Sequence, residues 1–266
     1  MAIKTVTHGT LEYLAAENLD VPHAFTTRLG GVSQAQFSSL NLAMYRGDLP
    51  ENVEKNHAIL AAALGYDTES LVMTRQIHSD IVRMVTREDA RGLDHHRYPQ
   101  SDGLITCQTG VALWIFTADC TPILFHDPVT GAVGAAHAGW RGTAADIAGK
   151  TVRAMARAFD SRPEDIRAAI GPNIGSCCFE TDADVPEALE AAFGREILPY
   201  IRRENKKFYV NLKEINALAL RRAGVQNIEI STECTMCQHE RFWSHRYTRG
   251  DRGSQGAIIV CKEGNV

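Results

Sequence analysis

The chain has no long apolar segment, no low-complexity linker and no block of like charge. Hydrophobic residues make up 44% of its 266 residues, yet no stretch is long enough to span a bilayer. The amino-terminal region contains Glu12, Glu17 and Asp20 and lacks a sustained apolar core, so a signal peptide is not expected. The formal net charge of −4 is spread along the chain and argues against a nucleic-acid-binding arm. We therefore expect neither a membrane nor a nucleic acid as a partner.

The absence of a linker also bears on domain organisation. No segment rich in Pro, Gly and Ser divides the chain, and its length lies near the upper size of one hydrophobic core. The sequence therefore predicts a single domain over residues 1–266. Its seven cysteines, an odd number without an export signal, indicate free thiols in a reducing compartment. We expect a cytoplasmic protein without disulfides, and nothing in the sequence indicates its oligomeric state.

Apolar runs and turn signals predict alternating strands and helices. Three runs predict consecutive buried strands at 111–117, 122–126 and 132–136. A helix should follow, because Thr143 can cap it and apolar positions recur every four residues from Ile147 to Phe159. Further helices are predicted over 51–64 and 211–223, and short strands over 71–74, 81–86, 228–230 and 257–260. Neighbouring strands joined by tight turns exclude a purely parallel sheet, so we predict an α+β fold of mixed β-sheets covered by helices.

Three short segments carry the residue types of a metal site. They are RQIH (75–78), ADCTP (118–122) and HAGWRGT (137–143), which contain His78, Cys120 and His137. Zinc binds His nitrogen and Cys thiolate, and a catalytic zinc site uses three protein ligands and leaves a fourth position for water or substrate. The ligands are too far apart in sequence for a zinc finger, so the fold must assemble the site.

The same three segments resemble the YfiH-type family, also called the laccase-domain or multicopper polyphenol oxidase family and described as purine nucleoside phosphorylases. The turn after His137 is the most specific piece. The resemblance continues over about the whole chain, through TTRLGGVS (26–33), SLNL (39–42), AIGPNIG (169–175), CTMC (234–237) and FWSHR (242–246). It implies a sandwich-like core of mixed β-sheets with outer helices, and a Zn²⁺ ion, or alternatively Cu²⁺, held by the three motif residues.

The resemblance also directs attention to residues around this metal site. Asp119 is a candidate for orienting an imidazole, and Asp119 and His245 are the candidates for the general acid or base. Arginine suits bidentate contacts with phosphate, and we expect at least one of Arg75, Arg141 and Arg246 to face the metal cavity. Substrate contacts are predicted for these motif-linked polar residues: Arg28, Asn41, Arg75 and Arg246. One departure concerns the final motif, where Tyr247 replaces the second arginine that is frequent in the family.

The resemblance implies an enzyme that acts on small molecules, namely purine nucleosides and phosphate. Family members are assigned phosphorolysis of adenosine, guanosine or methylthioadenosine, together with adenosine deamination. A polyphenol oxidase using bound copper is an alternative, because two histidines and a cysteine can also hold copper. A conventional laccase is rejected, since none of the ten histidines forms a His-x-His pair. A peptidoglycan-precursor editing factor and a metal-storage protein remain open.

Other clusters of potential ligands have simpler interpretations. Cys234 and Cys237 form a C-x-x-C motif that could indicate a second metal site or a redox pair, but the only further pair is the adjacent Cys177 and Cys178. We favour free thiols for these cysteines. The histidines at 95–96 lie in a polar loop and are expected on the solvated surface.

Overall fold

The computed structural model describes residues 3–262, without the side chain of His95. Within that range the strands are β1 Lys4–His8, β2 Leu11–Ala15, β3 His23–Thr26, β4 Leu71–Val72, β5 Val82–Met84, β6 Gly103–Thr106, β7 Ala112–Thr117, β8 Thr121–His126, β9 Val133–Ala138, β10 Arg167–Ile170, β11 Glu180–Thr181, β12 Ile201–Glu204, β13 Lys207–Val210, β14 Asn227–Ile230 and β15 Gln255–Val260. The α-helices are α1 Pro50–Leu64, α2 Trp140–Ala144, α3 Ile147–Phe159, α4 Asp184–Phe193, α5 Leu212–Arg222 and α6 His245–Thr248. No helix among these described residues is long and apolar enough to cross a membrane.

The strands form two large mixed sheets and one small one. The first six-stranded sheet has the order β1-β2-β3-β15-β7-β4, and the second has the order β14-β10-β8-β9-β6-β5. Most neighbours are antiparallel, whereas β4 with β7, β5 with β6 and β10 with β14 are parallel. A three-stranded sheet, β11-β13-β12, lies apart from them. The predicted α+β fold with mixed sheets is therefore confirmed.

The two large sheets pack face to face, and helices cover their outer faces. Leu113 and Ile115 of β7 share one core cluster with Leu124 of β8 and with Val133 and Ala135 of β9. The outer face of the second sheet packs on α3, α4 and α5, and the outer face of the first packs on α1. The layers thus run helix, sheet, sheet, helix, which is the sandwich with outer helices that the sequence analysis expected.

Burial on both faces explains why the central strands read as continuous apolar runs. Along β7, Leu113 and Ile115 point into the core between the sheets, whereas Trp114 and Phe116 point toward α1. All six residues of this strand are buried. A strand that is buried on both faces has apolar residues at successive positions instead of alternating apolar and polar ones. These continuous apolar runs made β7, β8 and β9 predictable from the sequence.

The predicted helices are present, but one of them begins differently. Thr143 does not cap α3, because residues 140–144 form the separate short helix α2 and the Thr143 hydroxyl instead accepts a hydrogen bond from Asn216 (3.0 Å). Asp146 is the cap of α3, and its carboxylate accepts from the Gly149 backbone N–H. Asn211 caps α5 as predicted by accepting from the Glu214 N–H.

Strand ends place the candidate metal ligands at one end of the sandwich. His137 lies in β9 on the face that carries Val133 and Ala135, so its side chain points between the two sheets. Cys120 follows β7 in the turn to β8, and His78 lies in the loop between β4 and β5. The fold therefore brings three distant segments to one edge of the core.

Gly256 provides a test of how tightly this core is packed. A Cβ atom there would lie 2.2 Å from Cζ2 of Trp114 and 2.7 Å from the Ile115 carbonyl oxygen. We expect Gly256→Ala to lower the free energy of unfolding by about 1–3 kcal/mol, as overpacking does. In a Trp114→Phe background the added cost should be smaller, because the clashing indole atoms are gone. Denaturant unfolding of the four proteins measures this, and strictly additive effects would contradict it.

Candidate metal centre and active site

His78, Cys120 and His137 converge on one point. Their potential ligand atoms all lie within 4.8 Å of one another. The two imidazole rings meet edge to face with 4.8 Å between centroids. His137 is buried, Cys120 is partly buried and His78 is exposed, so one side of the group is accessible. Three nitrogen and sulfur ligands with an accessible side match the donor set of a catalytic zinc site.

Asp102, at the start of β6, holds two of these three residues in place. Its Oδ1 atom lies 2.8 Å from Nδ1 of His137, which leaves Nε2 as the ring nitrogen available to a metal. The same carboxylate accepts backbone N–H bonds from Ile77, His78 and Ser79 at 2.7–3.2 Å. The Asp102 carbonyl oxygen accepts the N–H of His137 (2.7 Å). One buried residue thus fixes an imidazole, its backbone and the neighbouring loop.

The turns that carry the ligands have unusual backbone conformations. His78 has φ = 59° and Asp119, next to Cys120, has φ = 84°, both in the left-handed region that side chains other than glycine seldom adopt. Gly139 leaves the space into which the ligands fit. A Cβ atom at Gly139 would lie 2.7 Å from Nδ1 of His78 and 3.2 Å from Sγ of Cys120. The chain is therefore shaped around these two side chains.

Electrostatics favour a thiolate at this point. Burial opposes ionisation of Asp102, but hydrogen bonds from His137 and Ser79 outweigh it and lower the pKa of Asp102 to about 2. Burial likewise disfavours a charged His137, yet the Cys120 thiolate and the Asp102 carboxylate raise the pKa of His137. Burial opposes ionisation of Cys120 too, but His137 and His78 lower the pKa of its thiol. The thiolate is the form of cysteine that binds metals.

The three residues form part of the wall of a cavity of about 810 Å³. Aromatic side chains from several loops provide much of its apolar surface: Tyr45, Tyr98, Phe116, Trp140 and Phe179. Phe116 is the penultimate residue of β7, and Trp140 begins α2, three residues after His137. Flat aromatic surface beside a metal centre is suited to holding a planar ring.

Positive charge is concentrated in the same cavity. Among the residues that the structure describes, five arginines line it: Arg46, Arg75, Arg141, Arg246 and Arg252. Within residues 3–262, the Nε atoms of Arg46 and Arg252 are buried and have no hydrogen-bond partner. Burial and the nearby Arg46 lower the pKa of Arg252 to about 10, which still leaves it charged at neutral pH. Buried donors without partners are costly unless a ligand satisfies them, and an anion would do so.

Comparison with known proteins identifies the family of the chain. The family model described as multi-copper polyphenol oxidoreductase laccase matches residues 22–262. The chain belongs to this laccase-domain family. Purine nucleoside phosphorylase YlmD of Geobacillus stearothermophilus is 40% identical over 245 residues, which cover 90% of this chain and 89% of YlmD. The crystal structure of YlmD from that organism superposes with a TM-score of 0.91 at 36% identity, covering 98% of this chain and 100% of the other.

A second relative of this laccase-domain protein bears a different name. Adenosine deaminase RL5, from an unknown prokaryotic organism, is 36% identical over 239 residues, covering 87% of this chain and 90% of RL5. The chain is thus similar both to proteins named purine nucleoside phosphorylase and to one named adenosine deaminase. Its relatives are named for acting on small molecules.

The structure gives two of the predicted substrate-binding residues other partners. Arg28 donates to the backbone carbonyls of Ser38 and His239, and its guanidinium stacks 3.9 Å from the centroid of a Trp243 ring. Asn41 is buried, and its amide group donates to Asp48 and accepts from the Ser254 N–H. Neither residue lines the cavity. Both residues make hydrogen bonds within neighbouring loops, and their role in substrate binding stays a prediction.

The remaining predicted residues lie around the cavity, but Asp119 has a different partner from the one expected. Its carboxylate accepts from the Thr235 hydroxyl (2.6 Å) and from the Arg246 N–H (2.7 Å), whereas Asp102 orients the imidazole of His137. Asp119 therefore fixes the start of α6, which carries His245. Arg75, Arg141 and Arg246 line the cavity. At least one of these three arginines was expected to face the cavity, and all three line it.

Sequence reasoning overlooked three residues of this site. Asp102 lies in no recognisable motif, because its role depends on pairing between β6 and β9. Arg46 and Arg252 lie outside the three segments that contain His78, Cys120 and His137, and neither was predicted to line the cavity. Of the histidines expected on the surface, His96 is exposed at the cavity wall, whereas the side chain of His95 lies outside the described residues.

Gly139 allows a test of the metal centre that leaves every ligand in place. We expect Gly139→Ala to reduce bound metal markedly, because the new methyl group would displace the His78 ring, while its ordinary backbone angles (φ −66°) should preserve the fold. Gly134→Ala in β9, the strand that ends just before Gly139, is the matched control, since its Cβ contacts would be 3.4 Å. Metal analysis and thermal unfolding provide the measurements. Equal metal content in both variants would contradict the assignment.

Metal binding should also depend on pH in a defined direction. Without metal, the pKa of His137 is raised from 6.5 to about 9 and that of Cys120 is lowered to about 6, so near pH 7.5 His137 carries the extra proton. A metal ligand must be neutral imidazole, so binding should release about one proton and affinity should rise with pH up to about 9. Calorimetry in buffers of different ionisation enthalpy measures this. Proton release that does not decrease as the pH rises above about 9 would contradict the assignment.

Proposed function

We propose that this protein is a zinc-dependent purine nucleoside phosphorylase that also cleaves methylthioadenosine and deaminates adenosine. The observation that carries the proposal is the shared cavity. A three-ligand metal centre with an accessible side and a group of arginines with unsatisfied buried donors line the same space. His78, Cys120 and His137 would hold the ion, and zinc suits two imidazoles and one thiolate.

The arginines support the phosphate half of the proposal. Arg46 and Arg252 have buried Nε–H groups without partners, and Arg141 stacks on Trp140 with 4.1 Å between the guanidinium carbon and the ring centroid. A planar guanidinium can make paired hydrogen bonds to phosphate oxygens, which fixes the orientation as well as the charge of the anion. Several guanidinium groups around one cavity would hold a phosphate dianion for attack on a sugar carbon.

The aromatic side chains support the nucleoside half. Phe116 and Tyr45 make an edge-to-face pair with centroids 5.7 Å apart at the cavity wall. A purine is flat and apolar on its faces, so the rings of Phe116, Tyr45 and Trp140 offer it complementary surface. A cavity of about 810 Å³ is in the size range of small-molecule sites.

His245 is the residue we propose for proton transfer. Burial lowers its pKa, and Arg252 lowers it further, so the ring is neutral at pH 7 and can accept a proton. Asp119 acts as a positioning residue, because its carboxylate holds the N–H of Arg246 and thereby the short helix α6. Bound zinc would supply a Lewis acid that polarises an oxygen or activates water, which both phosphorolysis and deamination can use.

A copper oxidase is the alternative suggested by the description of the family. Among the described residues, two groups of three or more His, Cys, Asp or Glu side chains are close enough to hold a metal, and only one of them contains histidine. A multicopper oxidase requires a further copper cluster built from many histidines. This donor set therefore favours a single ion at the cavity and supports nucleoside chemistry over conventional laccase chemistry.

Phosphate dependence distinguishes the two nucleoside reactions. We expect adenosine to yield adenine and ribose 1-phosphate only with added phosphate, and Arg141→Ala to lose about 30- to 1000-fold in rate, equivalent to about 2–4 kcal/mol. Arg141→Lys should lose less than Arg141→Ala, since lysine keeps the charge but not the paired hydrogen bonds. Deamination to inosine uses water and should be much less affected. Chromatographic quantification of adenine, ribose 1-phosphate and inosine measures phosphorolysis and deamination in the same sample.

An exposed arginine provides the control for this series. Arg221 lies in the last turn of α5, outside the cavity, and Arg221→Ala should leave all activities unchanged. Equal loss of both activities in Arg141→Ala would assign Arg141 a structural role. Release of adenine without phosphate would contradict the phosphorylase proposal. A protein that leaves adenosine, guanosine and methylthioadenosine intact while oxidising phenols, or acting on peptidoglycan precursors, would replace it.

A further inference from the structure

Four cysteines lie together in two loops, one of which also carries the cavity-lining residues Ile174 and Phe179. The Sγ atoms of Cys177, Cys178, Cys234 and Cys237 are all within 4.8 Å of one another. Sγ of Cys237 is 3.5 Å from that of Cys177 and 3.4 Å from that of Cys178. The sequence offered two unrelated pairs, and the fold unites them into one group, which we call the four-cysteine cluster.

Strand pairing explains why the two pairs meet. The first pair follows β10 and the second follows β14, and these strands are parallel neighbours whose carboxyl ends lie at the same edge of the sheet. The pairing continues past the strands, where Ser231 N–H donates to the Ile170 carbonyl and Thr235 N–H donates to the Asn173 carbonyl. The two loops therefore run side by side, and the cysteines face each other across them.

The spacing of the sulfur atoms suits a tetrahedral ion. With metal–sulfur bonds of about 2.3 Å, the sulfurs of a tetrahedral tetrathiolate site are about 3.8 Å apart. The two measured separations are 3.4 and 3.5 Å, and all the others are below 4.8 Å. Small adjustments of the side chains would bring all four sulfurs to that spacing. Structural zinc sites are closed by four protein ligands in this way.

Polar groups around Cys234 favour its thiolate form. The backbone N–H groups of Gly175 and Cys237 point at Sγ of Cys234 at 3.2 and 3.5 Å. Lys213 is buried, donates to the Glu233 carbonyl and interacts electrostatically with Cys234 and Cys177. Four thiolates around a divalent ion carry a net charge of −2, and a buried ammonium and two N–H dipoles offset it.

We propose that the four-cysteine cluster is a second metal site that binds one thiophilic divalent ion, with Zn²⁺ as its occupant. It is distinct from the centre formed by His78, Cys120 and His137, because it contains no histidine and shares no ligand with it. The proposal does not depend on the reaction carried out in the cavity. It replaces the free thiols that the sequence favoured with the second metal site that it left open.

The position of the cluster gives the ion a structural role in the active site. The first loop continues into Phe179, which lines the cavity, and the second contains Thr235, whose hydroxyl donates to Asp119 at 2.6 Å. Asp119 in turn accepts the N–H of Arg246. An ion that ties the two loops together would therefore fix the wall that carries His245 and Arg246 without touching the substrate.

Metal content separates the two sites. We expect protein purified under reducing conditions to contain two zinc ions per chain, Cys237→Ser to contain one, and the control Cys107→Ser, which removes an exposed thiol elsewhere, to contain two. His137→Ala should also contain one ion, and X-ray absorption at the zinc edge of that variant should show sulfur neighbours alone at about 2.3 Å. This spectrum reports the ligands of the ion in a protein that keeps all four cysteines. The proposal can therefore be tested even if Cys237→Ser fails to fold.

Three results would overturn the second site. A single ion that disappears in His137→Ala and persists in Cys237→Ser would leave only the cavity metal centre. Histidine nitrogen in the zinc spectrum of His137→Ala would assign the remaining ion to other ligands. A mass spectrum of the reduced-buffer protein showing disulfides among the four cysteines would identify a redox group instead. None of these outcomes bears on whether adenosine cleavage requires phosphate, so the two proposals fail separately.

Discussion

The carboxylate of Asp102 is the group on which the candidate active site depends. It is buried at the start of β6, where one oxygen holds His137 and three consecutive N–H groups hold the His78 loop. A buried carboxylate is stable only when hydrogen-bond donors surround it, and His137 and the three N–H groups are these donors. The carboxylate in turn holds the donors in place. The positions of His78 and His137 thereby depend on one residue, which lies immediately before β6.

The elements that could be predicted from the sequence are those whose local residue pattern matches their burial in the folded protein. The strands β7, β8 and β9 were predictable because burial on both faces leaves continuous apolar runs. The helix after them was harder to delimit, since Thr143 and Asp146 both suit a cap and only packing against Asn216 decides between them. The family and the sandwich came from a resemblance of motifs, which supplied what periodicity could not.

The site residues divide along a similar line. His78, Cys120 and His137 stood in motifs, and the structure brings them together; their role as ligands remains a prediction. Asp102 was not predicted, because a buried aspartate has no sequence pattern of its own. Its partners are His137 and the loop that contains His78. Arg28 and Asn41 also stand in motifs, but they make hydrogen bonds within neighbouring loops and do not line the cavity. The meeting of the two cysteine pairs was not predicted, because parallel strands bring together residues more than fifty positions apart.

The cavity is assembled from two kinds of support. The metal-centre ligands come from strand ends and tight turns of the sandwich, whereas Arg46, Arg246 and Arg252 come from surface loops and the short helix α6. Loops tolerate substitution far better than the core beneath them. Substitutions in the loops can therefore change which small molecule the cavity accepts, while the residues beneath it stay unchanged.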